Sequence, residues 1–289
     1  MPTDAGTART AQEGHGVPKP GTPWKASIVA ELAEVVSHDA LNAEYRHLRL
    51  NCSAEAAQAA PGQFFQLLCP SPPGEQPFLR RPMSLYGVDP DKRQVEFLYK
   101  VAGAGTRGLD TIKIGDRLDI MGPLGVGFTL NPAWKNIVAV GRGAGLATLA
   151  PLAQAARKSD IHVTALFSAR RPEFLVSVDL FKRNGADVIT VTDTESTSGP
   201  ANVERLLRRL IAEKKCDAFF TCGSSRLMRV QQRLAAEFGL PGQVAMEQQM
   251  ACGLGMCFCC VRDFNINGEI VSRRVCCDGP VFDLMEALP

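Results

Sequence analysis

A chain of 289 residues with 45% hydrophobic content is large enough for two or three compact units rather than one. Its 32 Lys and Arg against 30 Asp and Glu leave a net charge of +2, which gives no electrostatic case for nucleic acid or an acidic membrane surface. No segment reads as a membrane-spanning helix: the apolar stretch 137–156 carries Arg142, three glycines and a proline, and divides into a β-branched run and a helix-like run. Residues 1–23 are small, polar and rich in Pro and Gly, lack the apolar core of a signal peptide and read as a disordered tail. Of ten cysteines, six fall between Cys252 and Cys277, a clustering that suits metal or redox chemistry in a reducing, cytoplasmic compartment better than a disulfide framework.

In chain order, residues 24–131 hold short runs rich in β-branched and aromatic residues: SIVAELAEV, YRHLRLNC, QFFQLLC and QVEFLYKV. Pro, Gly and Asp turns separate them, and a further strand through Leu118 and Ile120 ends at GPLGVGF. This spacing predicts a small antiparallel β-barrel. From 132 to 242 strand-like and helix-like runs alternate, beginning with NIVAV and ATLAPLAQAARK and ending with CDAFFTC and SRLMRVQQRLAAEFG. That alternation predicts a central doubly wound parallel sheet covered on both faces. Residues 243–289 read as a loop-like, cysteine-rich subdomain, making the whole a multidomain β plus α/β protein.

The strongest motif is Cys252-x4-Cys257-x2-Cys260, with Cys276 further on. Fifteen residues intervene between Cys260 and Cys276, so that Cys276 is the sixteenth after it. This is the spacing of a plant-type [2Fe–2S] centre, in which a short loop wraps one side of the cluster and a distant thiolate closes the other. Gly253 and Gly255 allow the tight turns that aim N–H groups at sulfur. A four-cysteine zinc site is the alternative, although its preferred C-x2-C pair is absent from the second arm, where Cys276 and Cys277 are adjacent.

Three further motifs suit nucleotides. Arg80-Arg81-Pro82-Met83-Ser84 offers a guanidinium for a diphosphate and a hydroxyl for a polar ring edge; a solvated arginine pair is the plainer reading. Tyr99-Lys100-Val101-Ala102-Gly103-Ala104-Gly105-Thr106 follows a strand and enters a short helix, the setting of a diphosphate-binding nest. Gly141, Gly143 and Gly145 lie between a strand and a helix, where a dinucleotide loop and a plain tight turn look alike.

Together these segments, with TCGSSRLM, MEQQMACGLGMCFCC and VCCDGPVFD, resemble the iron–sulfur electron-transfer subunit of the two-subunit, NAD-linked dihydroorotate dehydrogenases, within the ferredoxin–NADP reductase superfamily. The resemblance spans nearly everything after Trp24. It implies FAD held by Arg81, Pro82, Met83 and Ser84 and by Tyr99, Lys100, Val101, Gly105 and Thr106. It implies a nicotinamide nucleotide, NAD(H), near Gly141, Gly143, Gly145, Cys222 and Gly223, and a [2Fe–2S] cluster on Cys252, Cys257, Cys260 and Cys276, with Cys259 and Cys277 as bystanders. The implied partner is a larger, FMN-containing catalytic flavoprotein dehydrogenase in a hetero-oligomer, and no side chain here is implied as a substrate acid or base. Two departures stand out: Arg142 replaces a glycine of the usual G-G-x-G-x-A-P loop, and Pro151 follows Gly145 by six residues rather than three. Arg142 is placed either to add a phosphate contact or to obstruct the nucleotide's approach. Asp193, expected near the adenosine ribose, disfavours a 2′-phosphate, while Arg170 and Arg171 pull the other way. A stand-alone ferredoxin or flavodoxin reductase and a zinc-stabilised, non-enzymatic binding module are the competing functions.

Overall fold

A computed structural model describes residues 27–288; the expected disordered tail lies outside them. Strands β1 (Val29–Ala40), β2 (Tyr45–Asn51), β3 (Phe64–Leu67), β4 (Arg81–Ser84), β5 (Gly87–Asp89), β6 (Gln94–Lys100) and β7 (Arg117–Leu124) form one curled antiparallel sheet, in the order β4-β3-β7-β1-β2-β6-β5. Strand alternation sends Leu48, Leu50, Phe65, Leu67, Val95, Phe97, Leu118 and Ile120 into its interior. The Phe65 and Phe97 rings meet edge to face at 5.5 Å. The arginine motif, which in the sequence sits between strand-like segments, is itself strand β4. It lies at the sheet's edge, where Pro82 interrupts no ladder on its open side. A short helix, α1 (Ala104–Leu109), follows β6.

The second unit alternates β8 (Asn136–Arg142), α2 (Gly145–Lys158), β9 (His162–Ala169), α3 (Val178–Arg183), β10 (Asp187–Thr192), α4 (Pro200–Ala212), β11 (Ala218–Cys222), α5 (Ser225–Phe238) and β12 (Gly242–Ala245). Its sheet runs β10-β9-β8-β11-β12, all parallel. Ile137 and Ala139 pack with α2 and α3 on one face; Val138 and Val140 pack with α4 and α5 on the other. Burial on both faces explains why these strands are continuous apolar runs. The strand order reverses between β8 and β11, which opens a crevice at their carboxyl ends.

The tail differs from the loop expected of it. It contains a hairpin, β13 (Val261–Ile266) with β14 (Glu269–Arg274), and a strand, β15 (Val281–Asp283), that adds antiparallel to β12 at the edge of the parallel sheet. The hairpin signal is Asn267-Gly268, which has positive φ at both positions (54° and 90°) and forms a two-residue turn. It is hard to read because Phe264 is the only fully buried side chain of the two strands. Phe264 anchors the hairpin by packing on Phe282 of β15, with ring centroids 4.2 Å apart. Replacing Phe264 with Ala is expected to lower stability by about 3–5 kcal/mol, measured by denaturant unfolding of the purified chain.

Candidate functional site

The site begins on the outer wall of the curled sheet. Met83 and Ser84 of β4, Leu98 to Lys100 of β6, Thr106 of α1 and Phe64 of β3 line a cavity of about 300 Å³. The Arg81 side chain lies against Gly105, where an added Cβ would fall 2.7 Å from Nε, and it donates to the Leu79 carbonyl. The guanidinium therefore stands beside the first turn of α1, and only glycine at position 105 admits it. Thr106 closes that turn: its hydroxyl accepts from the N–H groups of Ala102 (2.9 Å) and Gly103 (3.0 Å). Two neighbouring cations are already paired, Arg80 with Asp119 at 2.7 Å and Lys100 with Glu44 at 2.5 Å. The Tyr99 ring packs in the sheet's interior and its hydroxyl meets His38 Nε2 at 2.7 Å. Burial raises the Tyr99 pKa and keeps the hydroxyl protonated. Val101 lies outside this cavity, packed against the interior cluster.

The switch-point crevice brings the glycine turn after β8 against the Cys222-Gly223 turn after β11. A Cβ on Gly145 would lie 2.6 Å from the Cys222 carbonyl, and one on Gly223 (φ +88°) 2.3 Å from the Arg142 carbonyl oxygen. Gly143 is left-handed at φ +59°. Cys222 and Gly223 line a polar cavity of about 210 Å³ together with Ser224, Ser225 and, from the hairpin, Arg262.

Arg142 points along the strand ends rather than into open space. It bonds Asp193 at 2.7 and 3.2 Å and donates to Ser168 Oγ at 2.6 Å. Arg142 and Ser198 hold the Asp193 carboxyl below the usual carboxylate range. The substituted arginine and the acid expected near the ribose thus neutralise each other, a pairing across 51 residues of chain that no local pattern announces.

Glu247 lines both of these cavities and also a third, of about 710 Å³, bounded by Phe78, Arg81, Pro82, Met250 and Cys259. Solvent reaches it through the cavities, but protein surrounds it closely enough that desolvation raises its carboxyl pKa. In the sequence Glu247 stands out only by its place in MEQQMACGLGMCFCC, just before the cysteine loop, and nothing there announces that three cavities meet at it.

The four thiols expected as ligands lie in two groups. Cys252 neighbours Cys257 and accepts from the Leu254 N–H at 3.3 Å, and Cys260 lies beside Cys276, with the Cys276 N–H donating to Cys260 Sγ at 3.4 Å. Burial pushes the Cys252 thiol up, but the N–H groups of Leu254, Cys257 and Met256 and the Cys257 side chain outweigh it and bring it down to about 7. Cys260 and Cys276 are buried, Cys257 and Cys259 exposed. Among the described residues no three Cys, His, Asp or Glu side chains converge on a single point. The Leu254 N–H on Cys252 Sγ (3.3 Å) and the Cys276 N–H on Cys260 Sγ (3.4 Å) are donors of the kind that the thiolates of an iron–sulfur cluster accept. Arg274 holds the arms together, donating to the Gly255 carbonyl (3.1 Å) and pairing with Asp278 (3.1 Å). Cys277 is turned toward Gly255, where a Cβ would lie 2.7 Å from its sulfur.

A cavity on the outer wall of a curled antiparallel sheet, a parallel-sheet unit with a switch-point crevice and a cysteine-rich tail are the parts of an oxidoreductase of the ferredoxin-reductase type. A solved structure of an NADH-dependent reduced ferredoxin–NADP oxidoreductase, studied for flavin-based electron bifurcation, superposes with a TM-score of 0.73 at 28% identity, covering 89% of each chain. Residues 247–287 match the iron–sulfur cluster binding domain of dihydroorotate dehydrogenase B. The electron transfer subunit of dihydroorotate dehydrogenase B (NAD(+)) from Desulforamulus reducens is 36% identical over 230 residues, 78% of this chain and 86% of that protein. A homolog of that subunit from Thermotoga maritima is 34% identical over 78% of this chain and 76% of its own length. The chain belongs to the family of dihydroorotate dehydrogenase B electron transfer subunits. It is an electron-transferring oxidoreductase subunit, a reading that family membership favours over a stand-alone reductase or a zinc-stabilised binding module.

Removing Arg142 leaves Asp193 uncompensated at the crevice, and removing the Asp193 charge frees Arg142. Arg142→Ala is therefore expected to raise KM for the nicotinamide nucleotide about three- to tenfold, and Asp193→Asn to lower it, in steady-state assays with an artificial acceptor. Because the folded pKa of Asp193 is depressed, the pair's contribution is complete above the unfolded value of about 3.9 and is lost as pH falls through the folded one. For so exposed a pair it amounts to about 1 kcal/mol or less, so any stability difference between wild type and Arg142→Ala at pH 7 should vanish in acid.

Proposed function

We propose that the chain relays electrons between an FMN-containing catalytic dehydrogenase subunit and a nicotinamide nucleotide, through its own [2Fe–2S] cluster and FAD, in the cytoplasm. The observation that carries this reading is the junction at Glu247, where the cavity of the sheet wall, the switch-point cavity and the cavity reaching Cys259 share one side chain. When bound, cluster and flavin supply the exchange between single-electron flow and hydride transfer. The chain's residues bind and orient. Arg81, beside Gly105 and the first turn of α1, meets the flavin's diphosphate; Pro82, Met83, Ser84, Lys100 and Thr106 wall the cavity for the rest of it. Gly141, Gly143 and Gly145 with Cys222 and Gly223 admit the nucleotide at the crevice. Cys252, Cys257, Cys260 and Cys276 hold the cluster, and Arg274 fixes the two arms that carry them.

The partner's place is proposed from the surface around the cysteine loop. Leu254, Met256 and Phe258 stand 38%, 80% and 63% exposed beside the ligand cysteines, and Phe78, 93% exposed, borders the cavity that reaches Cys259. Apolar side chains this open around a redox centre suit a protein surface pressed over it. Substituting Met256 and Phe258 with Glu is expected to weaken co-purification with the dehydrogenase subunit at least tenfold while leaving flavin and iron contents unchanged.

The reading is tested directly by anaerobic absorbance spectroscopy with iron, sulfide, zinc and flavin analysis. Two irons, two sulfides and one FAD per chain are expected; a colourless, zinc-containing protein would sink the proposal. Cys276→Ser should lose the cluster and Cys277→Ser keep it; the reverse behaviour would overturn the ligand assignment at that arm.

A further inference from the structure

Gln66 has no place in the assignments above, yet its surroundings are unusual. It is completely buried, and neither end of its carboxamide has a hydrogen-bond partner among the described residues. Buried polar groups are almost always satisfied, so this carboxamide is shaped for something outside the polypeptide. Its position says what. Strand alternation puts Phe65 and Leu67 of β3 inside the curled sheet and turns Phe64 and Gln66 to the opposite face. On that face Phe64 packs in the cluster of residues that includes Met250, Cys260 and Cys276. Gln66 lies against the cysteine loop itself: a Cβ on Gly253, the residue after Cys252, would fall 2.8 Å from the carboxamide nitrogen and 2.9 Å from Cγ. Gly253 is left-handed at φ +72°, so the loop is both turned and held open at this contact. Across the ladder Gln66 pairs with Pro82, which borders both cavities on the flavin side.

We propose that Gln66 donates a hydrogen bond from the flavin-binding sheet to the sulfur of the cluster site and thereby tunes its reduction potential. The proposal rests on the cluster reading above. A donor to sulfur favours the reduced, more negative state and raises the potential; a carboxamide contributes an N–H without adding charge. Gln66 is thus a tuning residue, set between the two redox centres and bonded to no substrate.

The test uses the full chain, purified anaerobically with its cluster, and potentiometric titration followed by electron paramagnetic resonance. Gln66→Leu and Gln66→Met are expected to bind iron as wild type does while lowering the midpoint by about 59 mV, the one-electron equivalent of a tenfold shift in the reduced-to-oxidised ratio. An iron-loaded variant with unchanged midpoint and g-values overturns the assignment, and would mean that Gln66 fills space or holds a water remote from the cluster. Should neither variant load, wild-type chain labelled with 15N at glutamine side chains decides: electron–nuclear double resonance on the reduced cluster is expected to show a side-chain 15N coupling, and its absence overturns the proposal. Failure of the underlying reading is distinct, since wild type would then contain no iron–sulfur cluster at all.

Discussion

The arrangement of the three units depends on one short stretch of backbone, residues 279–283. The Gly279 carbonyl accepts from Val126 N–H (2.5 Å) just beyond β7, and the Pro280 carbonyl accepts from Met246 N–H (2.9 Å) just beyond β12. Val281 to Asp283 then pair with Gln243 to Ala245 as the last strand of the parallel sheet. The same stretch begins two residues after Cys277, so the cysteine arm, the curled sheet and the nucleotide fold are bonded through a single segment. Interfaces between units of one chain are commonly small and mobile. Here main-chain hydrogen bonds, the Phe264–Phe282 contact and the buried Phe64 make the junction continuous with the core.

Charge is distributed so that most cations near the cavities are spoken for. Arg80 is paired with Asp119, Lys100 with Glu44, Arg142 with Asp193 and Arg274 with Asp278. Arg81, by contrast, has only main-chain carbonyl partners among the described residues. Carbonyls satisfy N–H groups without neutralising charge, so Arg81 keeps its attraction for an anion, and it does so beside the first turn of α1. Position 81 is thereby distinguished from position 80, a difference that the doubled arginine conceals in the sequence.

What was legible follows from the range of the interactions. The parallel sheet could be read because strands buried on both faces need continuous apolar runs. The cysteine loop could be read because its chemistry fixes spacing within nine residues, Cys252 to Cys260. Strand β4 was obscured by its proline, tolerated only because the strand is an edge, and β13 and β14 by having a single buried anchor between them. The Arg142–Asp193 pair, the convergence of cavities on Glu247 and the approach of Gln66 to Gly253 join residues far apart in sequence. Propensity and periodicity carry no information about such meetings, which only the assembled topology decides.

Glycine appears at five of the places where these parts touch. Gly125 meets the Gly279 carbonyl, Gly145 the Cys222 carbonyl, Gly223 the Arg142 carbonyl, Gly253 the Gln66 side chain and Gly255 the Cys277 sulfur, each closer than a Cβ would permit. Conformational freedom is not the common reason, since Gly145 is helical; the common reason is approach. Side-chain contacts can repack through rotamer changes, whereas backbone laid on backbone has few alternatives. The chemistry of an electron carrier belongs to its cofactors, and what the protein contributes is their placement and surroundings. Building three of these junctions, at Gly125, Gly145 and Gly223, from main chain on main chain makes that placement a property of the fold itself, and leaves side chains such as Glu247 and Arg142 to set the charge around positions already fixed.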